Sequence, residues 1–333
     1  MGIQVIKQGI ADSLQDLGRR GYQHLGINPG GVMDEVACRV AGMLVGNDPS
    51  EAVVELHFPA GAFLFQEEVL IALSGADFSA RINQTEIPLN TPVWVGKNSV
   101  LSFREPVQGK WCYLAVRGGF PIPKWLGSYS THLRAKAGGY NGRYLKRQDE
   151  IPLSPVRLPF PRLGNKDCKA LPWKADVRDL YMPGGKIRIL EGREFRWLNA
   201  PSRQLFLSLP FTVTLKSDRM GYRLKGPSMK SSTVTQLVST GLTRGTVQLL
   251  PSGELIVLMA DHQATGGYPR VAHVVSVDLP GLAQTSLHSP LHFCLCSRKE
   301  AEDLLIWRES YLEQLREACA NRLKKYLEQY VLH

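Results

Sequence analysis

Four glycine-punctuated clusters hold the side chains of this sequence best suited to chemistry. Met259-Ala-Asp-His-Gln-Ala-Thr-Gly-Gly-Tyr-Pro-Arg270 runs from an apolar strand into an acid, an imidazole, an amide and a hydroxyl, then two glycines. A polar burst at the end of a buried strand is where β-barrels open their pockets. Asp261 or His262 can serve there as general base; Asp261 is favoured, because a lone histidine in such a place is more often a hydrogen-bonding bystander. Gln263 and Thr265 can orient an amide or carboxyl group, and Gly266 and Gly267 complete the substrate-binding set. Lys216-Ser-Asp-Arg-Met-Gly-Tyr-Arg-Leu224 places Arg219 and Arg223 four residues apart with Tyr222 between them. A fixed guanidinium grips a carboxylate or phosphoryl oxygen through paired hydrogen bonds. Gly221 lets the chain bend so that Arg219 and Tyr222 converge; the plainer alternative is a solvated strand end with an Asp218–Arg219 pair.

The third cluster, Gly26-Ile-Asn-Pro-Gly-Gly-Val-Met-Asp34, leads into a short helix that closes on Gly46-Asn47. Backbone N–H groups of Gly30 and Gly31 can meet an anion at the helix start. Asp34 joins that set, although an N-cap role alone would account for it. Asn47 either holds substrate or caps the other end. In the fourth cluster, Ser13-Leu-Gln-Asp-Leu-Gly-Arg-Arg-Gly-Tyr22, Asp16 and Arg19 flank a glycine and read as a turn fixed by an ion pair rather than as catalytic groups.

The elements that must carry these clusters are mostly strands. Short β-branched runs predict strands at 3–6, 53–58, 63–65, 69–74, 93–95, 100–103 and 112–116, and again at 186–190, 212–215, 233–237, 245–250, 255–259, 271–277 and 291–296. Thirty-one glycines and 21 prolines supply the turns. One internal helix runs from Asp34 to Val45, with Val36, Val40, Met43 and Leu44 on one face and Gly46 as its left-handed stop. A second is weakly indicated within 192–207. Ser297 and Glu300 form a capping box for a long amphipathic tail helix in which Leu305, Leu312, Cys319 and Tyr326 recur every seven residues.

Prolines at 152, 155, 159, 161, 172 and 183 disfavour regular structure and mark a boundary. The expected organisation is therefore a first β domain over 1–155, a Pro-rich connector over 156–183, a second β domain over 184–296 and the tail helix over 297–333. Two pattern matches, Ser74 with Ser217 and Leu114 with Val257, share an offset of 143 residues (217 − 74 and 257 − 114), and Gly-Gly-Tyr occurs at 138–140 and 266–268. This common register argues for two copies of one unit.

Composition removes several classes. With 44% hydrophobic and 21% charged residues, neither disorder nor a fibrous repeat fits. No apolar run reaches a membrane span, and no secretory leader opens the chain. Six cysteines at scattered spacings lack zinc partners and read as free thiols of a cytoplasmic protein, so no metal site is expected. The net charge of +10 is dispersed, without the aromatic-interleaved basic stretch of a nucleic-acid binder. Walker, GxGxxG, GxSxG and HExxH motifs are absent, and Met229-Lys230-Ser231 lacks the second methionine of a biotin attachment site.

In Gln15-Asp-Leu-Gly-Arg-Arg-Gly-Tyr22, Gly31-Val-Met-Asp34, Leu44-Val-Gly-Asn47, Leu126-Gly-Ser-Tyr-Ser-Thr131, Ser217-Asp-Arg-Met-Gly-Tyr-Arg-Leu224 and Asp261 through Arg270, the chain resembles the allophanate hydrolase subunit 2 family of KipA-like, biotin-dependent carboxyltransferases. These stretches follow family order over nearly everything but the tail, which is longer and more helical than the family leads one to expect. The resemblance implies a mainly β protein of tandem cyclophilin-like β-barrels with few short helices. It also implies that the chain is one component, the C subunit, of an ATP-dependent 5-oxoprolinase and is inactive alone. Such a component works with a KipI-like protein and a LamB/YcsF-like protein, using ATP with Mg2+. Asp261, Arg219 and Tyr222 become the catalytic candidates. Arg219 would hold the carboxylate of 5-oxoproline, with Asn47 and Gln263 on the lactam. The alternatives are carboxyl transfer to a urea-like amide from biotin carried by a partner, and a non-enzymatic regulator that binds a KipI-like kinase inhibitor.

Overall fold

The computed structural model describes residues 2–156, 163, 166–181, 185–233 and 237–331. The chain forms two compact units, each assembled from separate segments: Met1–Gly18, Asp34–Val177 and Ser310–His333 in the first, Arg19–Met33 and Arg178–Glu309 in the second.

Two six-stranded antiparallel sheets make the first unit. One follows the order β11-β1-β4-β9-β6-β7, with β1 at Gly2–Lys7, β4 at Ala62–Phe65, β6 at Ala80–Ile82, β7 at Thr85–Glu86, β9 at Ser99–Phe103 and β11 at Glu150–Pro152. The other follows β12-β8-β5-β10-β3-β2, with β2 at Ser13–Gln15, β3 at Val53–His57, β5 at Val69–Asp77, β8 at Pro92–Val95, β10 at Gln108–Val116 and β12 at Cys168–Ala170. Both sheets send side chains into one core, including Ile3, Phe63, Phe65, Ile71, Leu114 and Val116. The helix α1 (Glu35–Val45) packs on β5 and β10. β5 is therefore covered on both faces, which explains why Val69–Leu73 is apolar throughout rather than alternating. Both predicted caps of α1 form: Asp34 Oδ1 accepts the Ala37 N–H at 2.9 Å, and Gly46 turns left-handed at φ 70°.

The second unit is a closed seven-stranded barrel in the order β13-β20-β17-β18-β15-β14-β21. Its strands are β13 (Lys186–Glu191), β14 (Phe211–Val213), β15 (Gly221–Lys225), β17 (Thr246–Leu249), β18 (Leu255–Leu258), β20 (Arg270–Val274) and β21 (Pro290–Leu295). All neighbours are antiparallel except β13 and β21, which run parallel. A small ribbon pairs β16 (Thr240–Gly241) with β19 (Thr265–Gly266). The helix α2 (Ala200–Ser208), capped by Asn199, inserts Phe206 among Phe195, Phe211 and Phe293, with ring centroids 4.9–6.5 Å apart. A short helix α3 (Leu279–Ala283) precedes β21, and the tail forms α4 (Arg298–Val331). The Ser297 Oγ accepts the Glu300 N–H at 3.1 Å, the serine half of the expected capping box. The expected fold class holds: mainly β, with a barrel, few short helices and a long C-terminal helix.

Several expectations change in detail. The weak helix within 192–207 is α2, preceded by one tight turn at Phe195–Trp197. Cys168–Ala170 lies in the proline-rich stretch yet adds to the edge of β8, where the prolines flank the strand rather than interrupt it. Gly221–Lys225, where a bend at the glycine competed with a strand end, is a strand with Tyr222 and Leu224 inward and Arg223 outward. Most of the predicted strand at 233–237 lies outside the described residues. The 143-residue register is not structural. It pairs β5 with a segment whose strand ends at Val213, and β5 neighbours β10 whereas β14 neighbours β15 and β21.

Candidate functional site

The chemistry-bearing side chains of the second unit gather where β18 leaves the barrel. Gly221 faces Leu258 and Tyr222 faces Val257 across β15 and β18, and the ladder continues beyond both strands through Met259 N–H to Met220 O at 3.0 Å and Asp261 N–H to Arg219 O at 2.8 Å. On the other side of β18, Val247 faces Val257. Carrying both registers forward sets Arg219 and Arg244 opposite Ala260 from the two flanks. Residues 42 and 16 positions away from Asp261 and Ala260 thus reach one place because of strand pairing alone.

Arg219 grips Asp261 as a fork, with Nε 2.8 Å from Oδ2 and Nη2 3.2 Å from Oδ1. Nη2 also donates to the Gly31 carbonyl at 2.6 Å. Arg244 donates to the carbonyls of Val32, at 3.1 Å, and Met33. Asn28 Nδ2 donates to the Asp261 carbonyl at 2.9 Å. The loop 28–33 is therefore tied down by two arginines and one amide. Gly30 is required in it: a Cβ there would sit 2.9 Å from Arg19 Nη1, and its φ of 62° favours glycine. Arg19 is buried and donates its N–H to the Pro29 carbonyl at 2.8 Å. The guanidiniums of Arg19, Arg219 and Arg244 thus all meet the loop 28–33, with Arg219 paired to Asp261, a concentration of positive charge suited to an anionic ligand.

His262 follows Asp261 into the interior. Burial lowers its pKa; the hydrogen bond to the Gln263 carbonyl and the Asp261 charge oppose that, and the Arg244 charge adds to it. Gln263 projects to the surface against Gly266, whose Cβ would come 2.8 Å from Gln263 Nε2. Thr265 and Gly266 pair with Gly241 and Thr240, and a Cβ on Gly267 would meet the Leu237 carbonyl at 2.7 Å.

Of the sequence-predicted residues, Asp261, Arg219, Gly30 and Gly31 come together, with Gln263, Gly266, Gly267 and Thr265 on the segment that follows. The fork reserved for a substrate carboxylate is filled by Asp261 itself. Tyr222 is fully buried inside the barrel, where its hydroxyl donates to the Ala283 carbonyl at 2.9 Å. Asp34 and Asn47 belong to the first unit. There the Asp34 N–H donates to Tyr113 Oη, which donates to Glu55, while the Asn47 amide bridges the Val116 carbonyl and the Gly118 N–H at 2.7 and 2.8 Å. Asp16 accepts from Ser128 and Ser130 hydroxyls and the Tyr129 and Gly18 N–H groups of that unit. Sequence reasoning missed Arg244, which stands alone between Thr243 and Gly245, and passed over Asn28, whose signal lay inside the quoted Asn-Pro-Gly-Gly run. A cavity of about 540 Å³ in the second unit, walled by Arg178, Arg188, Asp278, Leu304 and Trp307, shares no residue with the cluster.

Comparison with known proteins gives this geometry its relatives. Residues 25–295 match the family described as carboxyltransferase domain, subdomain A and B. The chain is 35% identical to the C subunit of 5-oxoprolinase from Escherichia coli over 313 residues, covering 94% of this chain and 97% of that protein. It is 33% identical to the C subunit of 5-oxoprolinase from Haemophilus influenzae, covering 91% and 94%. Among solved structures, the urea amidolyase of K. lactis superposes with a TM-score of 0.83 at 26% identity, covering 94% of this chain but only 20% of that much longer one. The barrel, the cation-rich cluster at the exit of β18 and this near-full-length likeness agree: the chain belongs to the carboxyltransferase domain family, subdomains A and B.

Proposed function

We propose that this chain is a subunit of a cytoplasmic, ATP-dependent 5-oxoprolinase, acting with a KipI-like and a LamB/YcsF-like partner to convert 5-oxoproline to glutamate. The observation that carries the reading is the Arg219–Asp261 fork with two further guanidiniums on the adjoining loop, beside amide-competent side chains, in a chain whose curated relatives bear that name over nearly their whole length. 5-Oxoproline is a lactam bearing a carboxylate, so it asks for a cation and for groups that orient an amide. In this chain Arg219 fixes Asp261 and the loop 28–33, and the remaining positive charge attracts the substrate carboxylate. Asp261 orients water or the ring nitrogen; opening the ring breaks the C–N bond, adds water at the carbonyl carbon and returns a proton to nitrogen.

The residues present do not fit a nucleotide with its metal. Among the described residues no group of three His, Cys, Asp or Glu could hold a cation, and the chain has no Walker loop. ATP with Mg2+ acts in the assembled complex, at a site that is irregular or shared with a partner protein. No helix among the described residues is long and apolar enough to cross a membrane.

A second reading, carboxyl transfer from partner-borne biotin to a urea-like amide, is favoured by the likeness to urea amidolyase. Co-expression of the three proteins and an assay for 5-oxoproline loss tests the choice. ATP-dependent loss that vanishes when this chain is omitted is the expected result. Avidin-sensitive carboxylation of urea without 5-oxoproline turnover would transfer the assignment to the second reading.

A further inference from the structure

Apart from the Arg219–Asp261 cluster, the second unit holds the cavity of about 540 Å³, and its lining is of two kinds. Leu180, Val277 and Leu304 are apolar and are joined by Trp307, which remains 45% exposed. The rest is charged. Asp278, with its side chain 1% exposed, is fully engaged: it accepts the Arg188 backbone N–H at 2.7 Å, Nε at 3.0 Å and Nη2 at 2.5 Å. Arg308 is held by Glu309, at 3.3 and 3.2 Å, and by the Ser276 carbonyl at 3.0 Å. Arg178 and Asp179 follow one another and are exposed. Three arginines therefore meet three carboxylates, and the Glu300 charge also reaches Arg188.

A guanidinium offers a carboxylate two bidentate edges, Nε with Nη2 and Nη1 with Nη2. Asp278 occupies the first edge of Arg188. The second is open. Nη1 has no hydrogen-bond partner among the described residues, and it is not one of the buried atoms left without one, so solvent reaches it. The Asp278 fork orients that edge in advance, so a ligand need not order the side chain itself. The even charge count decides between anions. A group with two or more negative charges, such as a phosphate ester, would face Asp179, Glu309 and Glu300 without a matching excess of cations. A single carboxylate needs only one planar fork, and the apolar lining with its indole takes a hydrocarbon or aromatic body. Sites for small molecules enclose roughly 300–1,000 Å³, which includes this cavity. We infer that the cavity binds a small amphiphilic monocarboxylate, its carboxylate on the open edge of Arg188 and its apolar body against Leu304 and Trp307. The site shares no residue with the Arg219–Asp261 cluster and stands independently of the proposed reaction.

The test is isothermal titration of the full-length chain with 1-naphthaleneacetate and with its neutral counterpart, 1-naphthaleneacetamide. The acid should bind at least about tenfold tighter than the amide, the worth of one charge-assisted hydrogen-bonded contact. Arg188→Lys, which keeps the charge but has no second edge, should erase most of that preference. Trp307→Ala, made at an exposed side chain, should weaken both probes alike. Where Arg188→Lys fails to fold by circular dichroism, the acid–amide ratio of the unaltered chain and the loss of affinity in Trp307→Ala decide. Equal affinity for acid and amide, binding untouched by Trp307→Ala, or no heat at millimolar probe would each overturn the inference. Displacement of the probe by 5-oxoproline would overturn the assignment to a separate ligand and bring the proposed substrate to this cavity; failure to compete keeps the two sites apart.

Discussion

At the scale of single residues, the Arg219–Asp261 fork is the feature most sensitive to substitution. The two side chains are 6% and 17% exposed, so removing one partner leaves a largely desolvated charge. Asp261→Asn is expected to cost about 2–4 kcal/mol, read from urea unfolding, because the Arg219 fork then closes on a neutral amide. Arg219→Lys should fall between wild type and Arg219→Ala, since an ammonium keeps the charge but not the fork. A second residue titrates where most carboxylates do not. Asp12 is buried, and that burial pushes its carboxyl up to about 7 despite N–H donors from Gly61 and His57. The folded protein thus holds a proton that the unfolded chain releases near 3.8. Stability should decline as pH rises from about 4 to about 7, on the order of 4 kcal/mol in all, and level off above. Thermal melts of Asp12→Asn should lack this slope; a slope unchanged by the substitution would contradict the assignment.

At the scale of elements, α1 shows what local chemistry can specify. Asp34 and Gly46 bracket an amphipathic run, and both termini form as the capping rules require. Asp34→Ala should lose about 1 kcal/mol while Asp34→Asn loses little. Gly46→Ala should lose more, since its φ of 70° is left-handed and a Cβ would press on the Arg117 guanidinium. Chemical denaturation of the three variants checks the order. Strand pairing is harder to read. Leu255–Leu258 is recognisable from its apolar run, but its neighbour Gly221–Lys225 is only five residues opened by a glycine, too short for its apolar–charged alternation to separate a strand from a bend. For the same reason the Arg219–Asp261 pair is legible as two interesting clusters but not as one contact, which depends on a non-local register. Arg244 gives no local signal at all. The duplication register fails because two hydrophobic runs can match in pattern while occupying different places in their sheets.

For the molecule as a whole, the tail helix divides its labour. Leu312, Cys319, Leu323 and Tyr326 are buried in the first unit, where Tyr326 packs edge-on against Trp173 at 5.7 Å between ring centroids. The earlier turns instead leave Ile306 and Trp307 exposed. Ending the chain after Glu309 should therefore cost on the order of 5 kcal/mol and raise binding of a hydrophobic dye, measured side by side with the full chain. Leu312→Ala alone should lose about 2–5 kcal/mol. An unchanged melt for the truncated chain would mean that these buried side chains contribute nothing. The barrel carries a consequence of its own. Seven is an odd number, so directions cannot alternate all the way round a ring, and one like-directed seam is unavoidable; here it lies between β13 and β21. Because those are the first and last strands, the polypeptide enters at one rim and departs from the opposite one. Joining these two ends to make new termini elsewhere would demand a linker at least the length of a six-residue strand, about 20 Å, whereas barrels with an even count can be rejoined by a tight turn.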